Sequence, residues 1–106
     1  MRRQTTLEKH VVAQIAARFK TIPGLVFRKR HGTAMGVSGD PDLYCCFRGK
    51  HYEIEVKRPN DPASQLTRLQ EQRLREWELA GATVGVARSV DDALAILGLA
   101  GGECAR

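Results

Sequence analysis

Residues 42–58 read DLYCCFRGKHYEIEVKR, the clearest structural pattern in the chain. Apolar and polar residues alternate on both sides of Gly49 and Lys50, and a period of two residues is typical of a half-buried β-strand. Gly49-Lys50 between two such runs indicates a tight two-residue turn. We therefore predict a β-hairpin whose strands are residues 42–48 and 51–58.

The predicted hairpin separates its apolar side chains from its polar ones. A turn at this position pairs Asp42 with Lys57 and Tyr44 with Glu55, and paired residues share a face. Asp42 and Glu55 thereby become diagonal neighbours, about 7–8 Å apart at the backbone. A slip of the register by one residue would move Asp42 to the opposite face. The apolar face is predicted to hold Leu43, Cys45, Phe47, Tyr52, Ile54 and Val56.

Asp42, Glu55 and Lys57 form the candidate reactive group of the polar face. Two carboxylates at this spacing can close around one hard cation, because Mg²⁺ takes oxygen ligands at about 2.0–2.1 Å. The structural alternative is an ordinary amphipathic hairpin, with a solvated polar face and cross-strand charge pairs.

The rest of the chain predicts helices and strands on both sides of the hairpin. Helical periodicity, a capping Ser or Thr and a following glycine or proline mark each helix. The predicted elements are a helix at 5–20, a strand at 25–31, a glycine-rich loop at 32–41, a helix at 65–80 capped by Ser64, a strand at 82–87 and a helix at 89–97. The order is α-β-β-β-α-β-α.

Polar residues lie within the apolar stripes of both long helices. In the first helix the arc of Leu7, Val11, Val12, Ile15 and Phe19 is centred close to Glu8, where a carboxylate is costly unless its charge is used. A capping box formed by Thr5 and Glu8 is a second role, compatible with the first.

The second long helix has the same feature. Gln70 and Arg73 fall within the stripe of Leu66, Leu69, Leu74, Trp77 and Ala80, and a buried amide needs hydrogen-bond partners. A half-exposed Gln70 at the edge of the stripe is the alternative. Arg73 can either extend outward to solvent or meet a phosphate.

Composition and charge limit the class of protein. The 106 residues amount to one domain, and 17 Lys and Arg against 12 Asp and Glu give a net charge of +5, which favours a polyanionic partner, nucleic acid first. We expect neither a membrane span nor a secretory signal. The three cysteines, Cys45, Cys46 and Cys104, lack the spacing of a zinc site and are expected to be reduced thiols of an intracellular protein.

Several motifs together resemble a known family. Pro41-Asp42, then twelve residues, then Glu55-Val56-Lys57 is similar to the motif of the PD-(D/E)XK nuclease superfamily. The chain resembles more closely the small stand-alone, phage-type members of its VRR-NUC family. The stretches that carry this likeness are Gly39-Asp40-Pro41-Asp42-Leu43, Ile54-Glu55-Val56-Lys57, Leu66-Thr67-x-x-Gln70 and Ala80-Gly81-Ala82-x-Val84-x-Val86. The likeness covers about residues 8–97.

The resemblance implies a fold and a set of roles. The fold would be a single α/β domain with a restriction-endonuclease-like αβββαβ core, in which helices flank a central mixed four-stranded sheet. The core would span about residues 5–98, with 99–106 as a flexible tail. Asp42, Glu55, the backbone carbonyl of Val56 and Glu8 would hold Mg²⁺ or Mn²⁺. Lys57 would be the catalytic lysine, and Gln70 and Glu8 would complete the catalytic set.

The predicted function is metal-dependent hydrolysis of DNA phosphodiesters, similar to that of a Holliday-junction resolvase. The expected enzyme is a homodimer that acts on four-way junctions in the cytoplasm of a bacterial or phage-infected cell. The candidate DNA contacts are Arg28, Lys29, Arg30, Arg48 and Arg73. A solvated charge run is the alternative interpretation of the first four. A flap-specific or less selective DNA or RNA nuclease, and a non-catalytic basic nucleic-acid-binding module, are the alternatives.

Overall fold

A computed structural model of the protein describes residues 6–30, 36–59, 61 and 64–99. In chain order its elements are α1 (Thr6–Phe19), β1 (Leu25–Lys29), β2 (Leu43–Phe47), β3 (Lys50–Val56), α2 (Arg68–Leu79), β4 (Thr83–Ala87) and α3 (Val90–Ile96). The predicted element order and the predicted fold class, an α/β domain with a mixed four-stranded sheet, are confirmed. Among these described residues, no helix has the length and apolar character needed to cross a membrane.

The sheet has the strand order β1-β2-β3-β4. The first three strands are antiparallel neighbours, whereas β4 runs parallel to β3. Parallel neighbours need a crossover connection, and α2 lies in that connection. The helices α1 and α3 cover the apolar face, and α2 covers part of the polar face.

The hairpin turn lies one residue earlier than the sequence predicted. Phe47 pairs with Lys50, so the two turn residues are Arg48 and Gly49, and Cys46 rather than Arg48 faces His51. Arg48 and Gly49 both have positive φ, 53° and 78°. A type I′ turn requires this conformation at both central residues, and its twist suits the twist of the two strands.

The corrected turn shifts the strand register by two residues. Tyr44 pairs with Glu53 instead of Glu55. Continuing this register by one residue sets Asp42 directly opposite Glu55, which brings the two acids closer than the predicted diagonal. Because side chains alternate with a period of two, a two-residue shift leaves every side chain on its predicted face.

The core lies between the sheet and the pair α1 and α3. The predicted apolar face is buried: Leu43, Cys45, Phe47, Tyr52, Ile54 and Val56 all belong to the core cluster, together with α1 residues Val11, Val12, Ile15 and Phe19. The Phe19 and Phe27 rings meet edge to face with centroids 5.6 Å apart. Leu99, predicted in the flexible tail, is instead buried in this core, and its N–H donates to Leu94 O at 2.8 Å. Residues 100–106 of the predicted tail lie outside the described residues.

The helix α2 begins three residues later than predicted. Its N-cap is Thr67 rather than Ser64: the Thr67 hydroxyl accepts from the Gln70 N–H, and the Gln70 side-chain oxygen accepts from the Thr67 N–H. The predicted apolar stripe of α2 is largely unburied, because within the helix only Leu74 is buried. This helix is therefore held to the sheet mainly through polar and aromatic side chains.

Candidate active site

The two candidate metal-binding acids meet at one end of the β2–β3 pair. Asp42 directly precedes β2, and Glu55 is the penultimate residue of β3. The Val56 N–H donates to Asp42 Oδ2 at 2.8 Å, and the carboxyl groups of Asp42 and Glu55 are hydrogen-bonded to each other. The structure thus brings together the two acids that the hairpin pattern placed on one face.

The environment of these two acids disfavours a pair of negative charges. Burial and the neighbouring Asp42 together raise the pKa of Glu55 to about 9, although the Lys57 ammonium opposes the change. Burial also raises the pKa of Asp42, while the hydrogen bond from Val56 lowers it. A cation bound between the two carboxylates would relieve their repulsion, so the electrostatics of the site fit a metal ion.

Lys57 shares the buried face with the acid pair. Its side chain is 1 % exposed, and its Nζ lies 3.7 Å from Glu55 Oε2. The Lys57 N–H donates to Ala87 O at 3.0 Å, which fixes the backbone of this residue against β4. An ammonium that is buried and fixed in this way is oriented before any substrate arrives.

Gln70 connects the start of α2 to the acid pair. Its side-chain oxygen accepts from the Thr67 N–H at 3.0 Å, and its Nε2 donates to Glu55 Oε2 at 3.1 Å. The capping interaction therefore orients the amide so that its NH₂ group points to Glu55. This geometry explains the polar residue in the predicted stripe, where the amide is half-buried at the edge of the site.

Substitution of Thr67 and Gln70 separates capping from the contact with Glu55. We expect Thr67→Ala and Gln70→Ala each to lower the free energy of unfolding by about 1 kcal/mol, since each removes part of the capping box. Only Gln70→Ala is expected to lower the affinity for Mn²⁺, because in Thr67→Ala the backbone N–H of residue 67 still holds the glutamine. Chemical denaturation and calorimetric Mn²⁺ titration measure the two effects. Equal Mn²⁺ affinities in the two variants would contradict this interpretation.

Glu8 enters the site from α1. Its side chain is buried, and Ser64 Oγ donates to its Oε2 at 3.3 Å. The negative charge of Glu8 contributes to the raised pKa values of Asp42 and Glu55, which places it within electrostatic range of both. Thr5, the partner in the predicted capping box, lies outside the described residues. The role of Glu8 as a metal ligand stays a prediction.

A segment after β3 supports Ser64. The Ser64 hydroxyl accepts from the Arg58 N–H at 3.1 Å, and the Arg88 guanidinium donates to the backbone oxygens of Ser64 and Arg58 at 2.6 and 2.8 Å. Sequence reasoning missed Arg88, because its acceptors are main-chain oxygens distant in sequence and no local pattern indicates them. The sequence pattern predicts Ser64 only as a helix cap.

The predicted DNA contacts are dispersed. Arg28 and Lys29 are exposed on the edge strand β1, on opposite faces of the sheet. Arg48 lies in the hairpin turn, six residues or about 20 Å along the strand from Asp42. Arg73 donates to Ser38 O at 3.0 Å and forms an ion pair with Glu76. The structure does not gather these side chains around the acids.

Arg30 is placed differently from its prediction as a phosphate contact. It is half-buried, and its guanidinium forms a bidentate ion pair with the fully buried carboxylate of Glu53. His51 Nε2 contacts the same carboxylate, and its ring stacks on Trp77 with centroids 5.4 Å apart. Sequence reasoning missed Glu53, although its position two residues before Glu55 predicts that the two side chains share a face.

The donor set around the acid pair consists of oxygen atoms. Mg²⁺ commonly uses one or two carboxylates and keeps several waters, and the Asp42–Glu55 pair is a donor set of this kind. The Val56 N–H donates to the Asp42 carboxylate. The role of the Val56 backbone carbonyl as a metal ligand stays a prediction. Within the described ranges, no three His, Cys, Asp or Glu side chains form a ready-made metal cluster.

The fold and this site define a class of protein. A mixed four-stranded sheet with helices on both faces, and with Pro41-Asp42 and Glu55-x-Lys57 meeting at one end of a hairpin, is the architecture of PD-(D/E)XK-type nucleases. A solved structure named "VRR_NUC domain" is 30% identical with a TM-score of 0.67, and the match covers 86% of this chain and 96% of that chain. The chain belongs to the VRR-NUC family.

A second comparison supports the fold. A solved structure named "VRR_NUC domain protein" is 19% identical with a TM-score of 0.67, over 91% of this chain and 88% of that chain. At this identity the likeness concerns the fold alone. No protein-family model and no curated protein matches the sequence.

Proposed function

We propose that this protein is a metal-dependent endonuclease that hydrolyses phosphodiesters of DNA, with a preference for branched DNA such as a four-way junction. One observation carries the proposal. Asp42, Glu55 and Lys57 converge on a single buried face, where two carboxylates with raised pKa values adjoin an ammonium. Family membership supports the same reaction class.

A phosphodiester resists hydrolysis because its negative charge repels a nucleophile and its alkoxide is a poor leaving group. Mg²⁺ or Mn²⁺, when bound, would offset that charge and lower the pKa of a bound water. Asp42 and Glu55 would hold the ion. The Lys57 ammonium, fixed beside Glu55, would orient the attacking water and stabilise the charge that develops on the phosphate.

Gln70 and Glu8 would complete the site from the two helices. Gln70 donates to Glu55 and thereby fixes the orientation of one carboxylate. Glu8, held by Ser64, would bind a water or a further cation at the border of the site. The contact from Gln70 limits the movement of Glu55, and a metal site depends on such fixed ligand geometry.

The basic surface would bind the DNA backbone. Arg28 is exposed on β1 and pairs with Tyr44, so its side chain shares the sheet face of the acids. Lys29, next to it, is exposed on the other face. Contacts of this kind neutralise phosphates and position a duplex without reading its sequence. The net charge of +5 supports the same partner.

Two further features of the proposal concern assembly and location. Symmetric cutting of a four-way junction needs two active sites, so we propose a two-fold symmetric homodimer. Cys45 and Cys46 are free thiols, which supports the proposed location in the cytoplasm of a bacterial or phage-infected cell.

A panel of labelled DNAs tests the function. We expect native protein with Mg²⁺ or Mn²⁺ to cut a four-way junction faster than a flap, a linear duplex or a single strand, and to leave paired cuts on opposite strands. The Asp42→Ala variant and native protein with EDTA are the inactive controls. Faster cutting of the flap would contradict the junction preference, and no cutting with any metal would contradict the enzyme assignment.

A further inference from the structure

The ion pair between Arg30 and Glu53 lies beside the candidate metal site. Glu53 is 0 % exposed and precedes Glu55 by two residues, so both side chains lie on the same face of β3. The Arg30 guanidinium binds both carboxylate oxygens, with Nη2 3.0 Å from Oε2, and His51 Nε2 also contacts Oε2. A buried carboxylate with bidentate and additional hydrogen bonds has a single strongly preferred geometry.

Arg30 also holds the backbone on both sides of the Asp42 Cα atom. Its main-chain N–H donates to Asp42 O at 2.8 Å, and its Nη1 donates to Pro41 O at 2.9 Å. The carbonyl that precedes Asp42 and the carbonyl of Asp42 itself are therefore both fixed by one residue, which directly follows β1. With the peptide groups held, the Asp42 side chain is directed to the Val56 N–H and to Glu55.

Two aromatic rings fix the plane of the guanidinium. The Arg30 Cζ atom lies 4.5 Å from the ring centroid of Tyr44 and 5.2 Å from that of Trp77. Trp77 is itself anchored, since its Nε1 donates to Asp40 Oδ1 at 3.2 Å. Cation–π contacts and a bidentate ion pair together leave the Arg30 head group little freedom to reach a phosphate.

We propose that Arg30, oriented by Glu53, is a positioning residue that holds the Asp42 carboxylate in its metal-binding orientation, and that it does not contact DNA. The proposal rests on the proposed function only through the role of Asp42 as a metal ligand. This role replaces the sequence-based prediction that Arg30 contacts a phosphate. Arg28, two residues earlier on the same sheet face, stays a predicted phosphate contact.

The variant pair must separate positioning from stability. Arg30→Met alone leaves Glu53 buried without its partner, which is strongly destabilising. The double variant Arg30→Met/Glu53→Gln removes both charges, and the amide still accepts from His51. We expect this variant to melt near the native temperature and to bind Mn²⁺ roughly tenfold more weakly, because the contact with Pro41 O is lost.

Two further variants complete the experiment. Arg30→Lys keeps the charge opposite Glu53 without the planar fork, and we expect a folded protein with several-fold weaker Mn²⁺ binding. Arg28→Met is the matched control, because Arg28 is an exposed arginine of β1 two residues before Arg30 and on the same face. It is expected to bind Mn²⁺ as the native chain does, but to show a salt dependence of DNA binding reduced by about one phosphate contact.

The measurements are thermal melting, isothermal titration calorimetry of Mn²⁺ binding to the full chain without DNA, and DNA affinity at several salt concentrations. Native Mn²⁺ affinity in a folded double variant, or a salt dependence of DNA binding reduced in that variant as in Arg28→Met, would overturn the positioning role alone. Absence of Mn²⁺ binding by the native chain would instead overturn the metal-dependent function, and the positioning role with it.

Discussion

Replacement of Asp42 by asparagine, or of Lys57 by methionine, is expected to lower the rate of DNA cleavage at least 100-fold, roughly the effect of removing one preorganised electrostatic group. Asp42→Asn removes one of the two anionic groups that would hold the cation. Lys57→Met retains the length of a buried side chain and removes its charge next to Glu55. Single-turnover cleavage of a four-way junction at saturating Mn²⁺ measures both rates.

Exposed residues of like type supply the controls for these rates. Glu78→Gln on α2 and Lys20→Met after α1 change charges on exposed side chains, and we expect native rates from both. Circular dichroism and DNA affinity in Ca²⁺ should be close to native for all four variants. If either Asp42→Asn or Lys57→Met cut DNA at the native rate, the proposed catalytic group would be wrong.

The same Asp42→Asn variant is expected to be more stable than the native chain when no metal is present. At pH 8 we expect a gain of at least about 1 kcal/mol in the free energy of unfolding, because one shifted pKa unit corresponds to about 1.4 kcal/mol. The cause is the removal of one buried negative charge next to Glu55. Asparagine can still accept the hydrogen bond from the Val56 N–H.

The pH dependence of this gain follows from the direction of the pKa shifts. The pKa of Glu55 is about 9 in the folded chain and about 4.3 in an unfolded one. Because folding raises the pKa of Glu55, its protonation contributes to the free energy of unfolding. This contribution is fully present below the pKa of the unfolded chain and is lost as pH rises through the pKa of the folded chain. The native chain should therefore lose stability between about pH 4 and pH 9, and the advantage of Asp42→Asn should be smallest near pH 4.

Urea denaturation at a series of pH values in EDTA measures this difference. Added Mn²⁺ should stabilise the native chain more than Asp42→Asn, since only the native pair binds the ion well, and the difference should shrink. Glu78→Gln serves as the surface control, with an expected effect within about 0.5 kcal/mol at every pH. A variant that is less stable than native at pH 8 without metal would show that the acid pair is not under electrostatic strain.

Much of the fold follows from local pattern. The alternation in residues 42–58 predicts which side chains share a face. This prediction is correct even though the turn lies one residue earlier than predicted. A two-residue shift of register preserves the face of every side chain, so Asp42, Glu55 and Lys57 remain together. The shift only brought the acids from diagonal to opposite positions.

Helix boundaries and tail packing followed less well from the sequence. Ser64 and Thr67 are both good caps, and the structure uses Thr67 because Ser64 is occupied by Glu8 and by the Arg58 N–H. The predicted flexible tail includes Leu99, yet this residue is buried in the core, where its N–H donates to Leu94 O. In both cases a contact distant in sequence decided between two locally acceptable states.

The amino-acid sequence by itself determined the element order, the apolar face of the hairpin and the common face of the candidate catalytic residues. Only the tertiary structure decided between Arg28, in β1, and Arg30, directly after it, which have the same residue type and lie on the same face. Arg28 is exposed, whereas Arg30 forms an ion pair with Glu53 and a cation–π contact with Trp77. Periodicity in the sequence indicates the face on which a side chain lies. Its interaction partners on another strand or helix are set by long-range packing.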